Sequence, residues 1–282
     1  MSERTWGIVS NCWKQQLDAG ESLVSLIQRA AQDGYRAIEL RQGFLGEFES
    51  RLTACSDGGP ALTELSGRYP EMQFNLAVSL PLFGGPMDEH DLRFRQALHA
   101  SLELSAGTSP HLRLVDTATR TPQLDAEAME RAARLLTGMT RTLIHHGGTL
   151  SVEHAYQEWS VFAAVLQRSR SQLGNEAHRL RCCFDPCNLL LTEPVEHVIG
   201  IVSRIRPDEV SMIHLKQRFL GTILPEVAAG DLDWPQLLAA LDRQHHPGPW
   251  LFEIAPSDHV WNCLRRSQEY LSFRSHARQS VG

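Results

Sequence analysis

Long hydrophobic runs and clustered basic residues are both missing from this sequence. No apolar stretch approaches the roughly 20 residues that a membrane-spanning helix needs, and the segment from Met1 to Trp6 lacks the apolar core of a secretory signal. Proteins that bind nucleic-acid backbones usually present a basic stripe, whereas the formal net charge here is −6. We therefore expect a cytoplasmic protein that binds neither a membrane nor a nucleic acid.

Cysteine is also sparse, with six residues in a chain of 282. No Cys-x-x-Cys pair occurs, which argues against a zinc knuckle. Cys182 and Cys183 are adjacent, so on a strand their side chains would point to opposite faces. We expect the reduced thiols of a cytosolic protein rather than a disulfide framework.

Hydrophobic residues make up 42% of the chain, which is enough to bury a sizeable core. Short apolar runs alternate with longer segments of helical spacing, as in Leu23, Leu26, Ile27 and Ala30 before Gly34. Eight of the short runs are predicted to be strands: Trp6–Ser10, Tyr35–Leu40, Met72–Ser79, His111–Asp116, Thr149–Glu153, Leu180–Asp185, Glu209–His214 and Pro249–Ile254.

The longer segments between these runs are predicted to be helices: Glu21–Asp33, Pro60–Arg68, Glu89–Leu104, Asp125–His146, Trp159–Leu173, Pro194–Ile205, Trp234–Arg243 and Asp258–Phe273. Alternating β and α segments favour a parallel sheet, and eight such pairs favour its closure into a barrel. No change in composition marks a linker. The sequence therefore predicts an α/β protein in which residues 1–282 form a single (β/α)8 TIM barrel domain.

The active sites of such barrels lie at the C-terminal ends of the strands. The last four predicted strands end in side chains that can bind a metal: Glu153, Asp185, His214 and Glu253. Each one alone has an ordinary interpretation, because strand-end carboxylates often cap helices and a single histidine is often a hydrogen-bonded core residue. The set of four favours one divalent metal ion, and three carboxylates with one imidazole suit Mn²⁺, Mg²⁺, Co²⁺ or Zn²⁺.

Several motifs carry a resemblance to a known family. They are Ala37-Ile-Glu-Leu40, Leu150-Ser-Val-Glu-His154, Phe184-Asp-Pro-Cys-Asn188, Ile213-His-Leu-Lys216, Gly230-Asp-Leu-Asp-Trp-Pro235 and Phe252-Glu-Ile254. With them the chain resembles the xylose isomerase-like TIM barrels, the sugar phosphate isomerase/epimerase superfamily. The resemblance implies that Glu153, Asp185, His214 and Glu253 bind the metal. It also implies that Glu153 and Glu253 are catalytic, as the acid/base pair of the epimerases.

The chain departs from this family pattern at three positions. Asn188 stands where many members have histidine, and it can orient a substrate hydroxyl but cannot carry a proton. Gln217 replaces an aspartate that often follows the strand-seven His-Leu-Lys motif. Arg218 is the candidate for an arginine that the epimerases carry after that histidine. These departures leave the substrate open.

Other side chains near the strand ends are candidates for substrate binding, each with an ordinary alternative. Lys216 would point the same way along its strand as His214 and could polarise a substrate oxygen, or lie on the surface. His154 could contact substrate from a loop or face solvent, and Trp13 could form a wall for a sugar ring or pack in the core. Weaker candidates are Glu158, Cys187, Asp116 and Arg41.

The residues and the resemblance together predict a divalent-metal-dependent isomerase or epimerase that acts on a ketose or related keto-sugar. Proton abstraction next to a carbonyl would proceed through a metal-stabilised enediolate. The partner is a small carbohydrate-like molecule, and a homo-oligomer is compatible with the sequence.

Three alternatives stay open beside this prediction. A lyase or dehydratase could act on a keto-inositol or keto-glycoside, with or without a partner subunit. An endonuclease IV-like hydrolase of abasic DNA is disfavoured by the acidic balance and by the run from Asn75 to Ser79, where its strand-three histidine is missing. A non-catalytic binding barrel is disfavoured by the four intact ligands.

Overall fold

A computed structural model describes residues 4–53, 60–84, 87–105, 107–118 and 125–276. Eight parallel strands close into a barrel in which β1 pairs with both β2 and β10, which confirms the predicted (β/α)8 architecture. The barrel strands are β1 (Trp6–Val9), β2 (Ala37–Arg41), β3 (Gln73–Leu80), β4 (His111–Asp116), β5 (Thr149–Glu153), β6 (Leu180–Phe184), β7 (Val210–Leu215) and β10 (Trp250–Phe252).

Helices connect the strands and cover the outside of the barrel. In the described residues they are α1 (Lys14–Asp18), α2 (Leu23–Gln32), α3 (Ser50–Thr53), α4 (Thr63–Arg68), α5 (Leu92–Ser105), α6 (Ala126–Ile144), α7 (Trp159–Leu173), α8 (Pro186–Leu189), α9 (Val195–Val202), α10 (Trp234–Gln244) and α11 (Val260–His276). The predicted strands and long helices agree with these bounds to within three residues at each end.

A short hairpin, β8 (Arg218–Phe219) and β9 (Thr222–Ile223), follows β7 and was not predicted. Its tip contains Leu220 at φ 49° and Gly221 at φ 80°, both in the left-handed region. The Asp231 carboxylate accepts a hydrogen bond from the Leu220 amide at 3.2 Å. The hairpin therefore depends on a side chain from a later loop, which the local sequence pattern does not reveal.

The barrel interior contains a small apolar layer formed by Val9, Ala37, Cys183, Met212 and Leu251. Successive side chains alternate between the two faces of a strand, so the residue two places further along points to the same side. The next inward positions after these residues include Glu39, Asp185, His214 and Glu253, all buried. The barrel thus changes from apolar to charged toward its C-terminal end.

A larger apolar core fills the space between the strands and the helices, with Trp13, Phe48, Phe162 and Trp234 among its fully buried side chains. The described cysteines are free thiols, and Cys55 lies outside the described residues. Within the described ranges, no helix combines the length and apolar character needed to cross a membrane.

Candidate metal centre

The four predicted ligands converge at one end of the barrel. Glu153, Asp185, His214 and Glu253 each offer one ligand atom, and these atoms all lie within 4.8 Å of one another. His214 Nδ1 lies 3.2 Å from Glu253 Oε2 and 3.4 Å from Glu153 Oε1. All four side chains are buried, so this is an enclosed cluster rather than a patch of surface acids.

The four proposed ligands lie at or directly after the ends of their strands. Glu153 is the last residue of β5, His214 lies near the end of β7, and Glu253 follows β10 directly. Asp185, predicted to end the sixth strand, instead begins the turn into α8 as its N-cap. Its Oδ1 accepts hydrogen bonds from the Cys187 amide at 2.8 Å and the Asn188 amide at 3.1 Å. That capping fixes the carboxylate and leaves Oδ2 for the cluster.

The donor atoms fit a divalent cation. Asp185 Oδ2, His214 Nδ1 and Glu253 Oε2 make no hydrogen bond, although all three atoms are buried. Buried polar atoms are almost always hydrogen-bonded in folded proteins, whereas these three have only ionic neighbours, so a cation bound between them would supply the contact that the protein does not. Carboxylate oxygens and imidazole nitrogens are the usual ligands of Mn²⁺, Zn²⁺ and related ions.

The side chain of Lys216 reaches into this cluster from β7. Its Nζ lies 2.8 Å from Asp185 Oδ2 and 2.6 Å from Glu253 Oε2, and it donates a hydrogen bond of 3.3 Å to Asn188 Oδ1. The contacts of Lys216 Nζ with Asp185 Oδ2 and Glu253 Oε2 are ion pairs, because neither carboxylate oxygen has the angles of a hydrogen bond. Lys216 is therefore a buried cation of the site and not a surface lysine.

The protonation of the carboxylates reflects competition between burial and these cations. Burial would raise the pKa of Glu253, but Lys216 and Arg41 outweigh it and hold that pKa well below its usual range. Burial would also raise the pKa of Glu153, but Arg113 outweighs it and lowers that pKa. At Asp185 burial prevails and raises the pKa, because Lys216 offsets it only in part. The chain's own cations therefore keep Glu153 and Glu253 ionised, and burial favours the neutral form of Asp185.

Asn188, predicted to bind substrate, lies beside the cluster, and its hydrogen-bond partners are protein groups. Its Nδ2 donates to Glu153 Oε1 and to the His154 carbonyl oxygen, both at 3.0 Å. Together with the bond from Lys216, these contacts fix the amide between two side chains of the cluster. Its place on the wall of the cavity described below keeps it within reach of a small molecule.

A cavity of about 380 Å³ opens above the cluster, within the size range of small-molecule sites. Its wall combines charged, hydroxyl and amide groups with a few apolar side chains. The lining residues are Arg41, Ser79, Val115, Asp116, Thr117, Ala118, Glu153, Ala155, Tyr156, Asn188, Leu191, Lys216 and Glu253.

Three predicted substrate-binding residues are placed elsewhere among the described residues. His154 is buried, with Nε2 2.6 Å from the Gln157 carbonyl oxygen and its ring against Trp159 and Phe162. Trp13 is fully buried beside Trp261. Arg218 donates to the Gly221 carbonyl oxygen within the hairpin. In the described residues, the structure brings none of the three to the cavity wall, so their predicted contact with substrate lacks support.

Among the weaker candidates, Arg41 and Asp116 line the cavity, whereas Cys187 does not. Arg41 lines the cavity and its Nη1 pairs with Glu253 Oε1. The Asp116 carboxylate accepts hydrogen bonds from the Leu82 amide and from Gln157 Nε2, which gives it a structural task at the rim. Cys187 is buried, and burial followed by Asp185 raises its pKa, as expected of an inert thiol.

Two functional candidates were missed in the sequence: Glu39 and Arg113, both fully buried beneath the cluster. A signal was available, because each is a charged residue in the middle of an apolar strand. Such a residue inside a barrel needs an oppositely charged neighbour. The sequence does not name that neighbour, since Glu39 and Arg113 are 74 residues apart.

Comparisons with known proteins give a likeness in fold alone. No family model matches the chain, and no curated protein matches it. Solved structures do: the IOLI protein with a bound zinc atom has a TM-score of 0.68 at 12% identity, covering 96% of each chain. A xylose isomerase domain containing protein from Salmonella typhimurium LT2 has a TM-score of 0.65 at 13% identity, covering 95% of this chain and 97% of that one.

A D-tagatose 3-epimerase-like protein also matches, with a TM-score of 0.64 at 15% identity, covering 99% of this chain and all of that one. Chains described as an L-ribulose 3-epimerase and as a family 2 AP endonuclease from Brucella melitensis share the same architecture. The predicted resemblance is thus confirmed at the level of fold: the chain is built like the xylose isomerase-like TIM barrels and sugar phosphate isomerase/epimerase proteins.

Proposed function

We propose that this protein is a divalent-metal-dependent isomerase or epimerase of a ketose or related keto-sugar. The observation that carries the proposal is the pair Glu153 and Glu253, whose carboxylates lie 3.4 and 3.2 Å from the same His214 Nδ1 at the floor of a polar cavity. Two carboxylates facing one small space are the groups needed to remove a proton from carbon and return one.

Glu153, Asp185, His214 and Glu253 would hold the ion. A bound ion would supply Lewis acidity that stabilises negative charge developing on substrate oxygens next to the carbon that loses its proton. Three buried atoms of these side chains without hydrogen bonds support this assignment. The zinc atom in the IOLI structure supports it at the level of the fold.

The chain's own residues divide the remaining work. Glu153 Oε1 and Glu253 Oε2 are the oxygens turned toward the cluster, and each could accept or return a proton there. Asn188 orients Glu153 through its hydrogen bond of 3.0 Å. Lys216 lies between Asp185 and Glu253 and offers positive charge to a substrate oxygen. Enclosure of the cluster limits water, which strengthens each of these interactions.

The cavity wall supports a polyhydroxylated substrate. Ser79, Thr117 and Tyr156 supply hydroxyl groups around the opening, and Asn188 supplies an amide. Neighbours described as tagatose-, ribulose- and allulose-epimerase proteins support a sugar as the substrate class. An AP endonuclease shares the fold, but the described residues of this chain contain one group of metal-capable side chains, and the net charge of −6 disfavours DNA.

The proposal is tested by solvent exchange. Protein loaded with Mn²⁺ is incubated in deuterium oxide with a panel of ketoses, keto-inositols and 3-keto-glycosides, and the substrate's α-hydrogen is followed by NMR. Exchange requires only deprotonation, so it reports an isomerase, an epimerase or a dehydratase alike. Inversion or isomerisation supports the proposal, whereas loss of water or of an aglycone identifies the lyase alternative.

The variants Glu153→Gln and Glu253→Gln keep the size of each side chain but remove its ability to accept a proton. We expect each to lower the exchange rate by about 10²–10⁴-fold. Glu176→Gln is the matched control, because Glu176 is exposed and precedes β6, at the end of the barrel opposite the cluster. Near-normal exchange in both site variants with metal bound would reject the two-glutamate mechanism.

A further inference from the structure

A second layer of charge lies directly beneath the candidate metal centre. Glu39 in β2 and Arg113 in β4 are both fully buried, and Arg113 Nη2 donates to Glu39 Oε1. Arg113 Nε adds a hydrogen bond of 3.2 Å to Glu39 Oε2. Asn75 Nδ2 donates to the same Oε2 at 2.7 Å. This arrangement fixes both oxygens of Glu39.

Arg113 also contacts a proposed metal ligand. Its Nη1 lies 2.7 Å from Glu153 Oε2, an ionic contact that lacks the angles of a hydrogen bond. The other oxygen of Glu153, Oε1, is the one that faces His214 and receives the hydrogen bond from Asn188. Arg113 thus occupies one oxygen of Glu153 and leaves the other for the cluster.

Glu39 links this network to His214, a second proposed metal ligand. Its Oε1 lies 3.4 Å from His214 Nε2, a nitrogen that is also within 3.3 Å of Cys183 Sγ. This ring edge is opposite the Nδ1 that faces the cluster. Because Glu39 is also paired with Arg113, a fixed carboxylate lies behind the ring of His214. A carboxylate behind a metal-binding histidine typically fixes the orientation and tautomer of the ring.

We infer that Arg113 is a positioning residue that sets two metal ligands at once, Glu153 by direct contact and His214 through Glu39. This inference rests on the proposed function, because it assumes that the cluster holds a metal ion. Arg113 is fully buried and is not among the described residues of the cavity wall, so its effect reaches a substrate only through the ligands.

A gain in stability is a weak explanation for this network. Replacing a buried ion pair with apolar groups of similar volume is often neutral or stabilising, so such a pair is weak evidence of a stabilising role. The guanidinium can contact Glu39 and Glu153 together because it is planar and has several donors, which a lysine ammonium at one point does not reproduce. The geometry therefore points to orientation of the ligands as the property that needs arginine here.

The deciding variant is the double substitution Glu39→Gln with Arg113→Met. Removing Arg113 alone would leave Glu39 as an uncompensated buried charge and would add negative potential that attracts a cation by itself. The double variant removes one charge of each sign, so the net charge beneath the cluster is unchanged. The amide oxygen of the glutamine introduced at position 39 keeps a polar partner for Asn75.

Two quantities are measured on the full chain: the Kd for Mn²⁺ by titration calorimetry, and the melting temperature of the chelated protein. We expect the double variant to bind Mn²⁺ about 10–100-fold more weakly than wild type. Its chelated form should melt several degrees above the Arg113→Met single variant, where a buried charge is unpaired. The electron paramagnetic resonance spectrum of bound Mn²⁺ should also change, because Glu153 and His214 each lose a group that fixes their orientation.

Arg113→Lys keeps the charge without the planar contact and should weaken Mn²⁺ binding by about 10-fold or less, within the range for such supporting residues. The control is Arg4→Met with Asp242→Asn, which removes one charge of each sign from another ion pair. Arg4 precedes β1 and Asp242 lies near the end of α10, before β10, so the pair is at the opposite end of the barrel. That control should bind Mn²⁺ as wild type does.

The possible results distinguish a failure of the proposed metal site from a failure of the proposed role of Arg113. A wild-type protein that binds no Mn²⁺ would refute the proposed metal function itself. A wild type that binds Mn²⁺ and a double variant whose Kd stays within about threefold of it, with an unchanged resonance spectrum, would refute only the role of Arg113. In that event the Glu39–Arg113 pair would serve the stability of the barrel alone.

Discussion

The Nζ atom of Lys216 lies 2.6 Å from Glu253 Oε2, a buried oxygen that makes no hydrogen bond. The same ammonium lies 2.8 Å from Asp185 Oδ2. The chain therefore places a positive charge of its own against two of the four side chains proposed to hold the metal. Lys216 and a bound cation would share the same negative charge, and each would weaken the hold of the cluster on the other.

Replacing Lys216 with Met should raise the affinity for Mn²⁺ and lower the stability of the metal-free protein. Two like charges about 4 Å apart repel by several kcal/mol at the effective dielectric of a partly enclosed site. We therefore expect the Kd to fall by about 10-fold or more in Lys216→Met, as measured by titration calorimetry. The chelated variant should melt below chelated wild type, because Asp185 and Glu253 lose a counter-ion.

Lys14→Met is a suitable control, since Lys14 is an exposed lysine that pairs only with Asp18 among the contacts the structure describes. It should change neither quantity. An unchanged or raised Kd in Lys216→Met would mean that the lysine assists metal binding instead of opposing it.

Metal binding should also be visible as thermal stabilisation of the wild-type protein. A ligand that binds only the folded state at 100 times its Kd stabilises by about 2.7 kcal/mol. For a chain of this size we expect a rise of roughly 5–10 °C when Mn²⁺ is added to chelated protein. Asp185→Asn should give a smaller rise, because it removes one negative charge from the cluster while preserving the size of the cap. A melting temperature that ignores Mn²⁺, Mg²⁺, Co²⁺ and Zn²⁺ alike would contradict a metal site.

The sequence was sufficient for the barrel and for the four converging side chains, because both depend on local patterns. Strand and helix periodicity recurs eight times, and Glu153, His214 and Glu253 end or follow apolar runs that pair side by side. Parallel strands bring their C-terminal ends to one face, so the convergence follows from the order of the strands.

What the sequence could not supply were contacts between distant residues. Arg113 lies in the middle of β4, and its partners Glu39 and Glu153 come from β2 and β5. His154 directly follows a ligand, but its ring turns into an aromatic cluster that includes Phe162. The sequence reveals neither the partners of Arg113 nor the direction of the His154 ring, because both depend on how side chains pack in the folded barrel.

Leu220 provides a prediction on stability. It has φ 49° at the tip of the β8–β9 hairpin, and its side chain is 84% exposed. The left-handed region costs a residue with a branched side chain roughly 1–2 kcal/mol, whereas Asn tolerates it. Leu220→Asn should therefore raise the free energy of unfolding by about 0.5–1 kcal/mol in a urea titration.

Phe219→Asn is the matched control for this change. Phe219 is 54% exposed on the same hairpin but does not have a positive φ, so its replacement removes apolar surface without relieving the backbone. Equal stabilisation by both variants would show that loss of exposed apolar surface, and not backbone conformation, is responsible.

His154 gives a prediction on pH dependence. Burial lowers its pKa to about 4, below the ordinary histidine value near 6.5 that applies in the unfolded chain. Between these two values the unfolded state binds a proton that the folded state does not. The contribution of neutral, buried His154 to the free energy of unfolding is therefore complete above about pH 6.5 and is lost as the pH falls toward 4.

The variant His154→Phe should reveal this loss. At pH 7 we expect it to be less stable than wild type by about 1 kcal/mol, because the hydrogen bond to the Gln157 carbonyl oxygen is removed. The phenyl ring suits the space beside Trp159 and Phe162. Between about pH 6.5 and 5 the wild type should lose stability relative to the variant by up to about 1.4 kcal/mol per pH unit, so the two curves of stability against pH should approach or cross.

The measurement is urea unfolding at several pH values, with His90→Gln, a substitution at an exposed histidine, as the control. A constant difference between His154→Phe and wild type across this range would show that His154 can take up a proton in the folded protein, and that its ring is accessible to water after all.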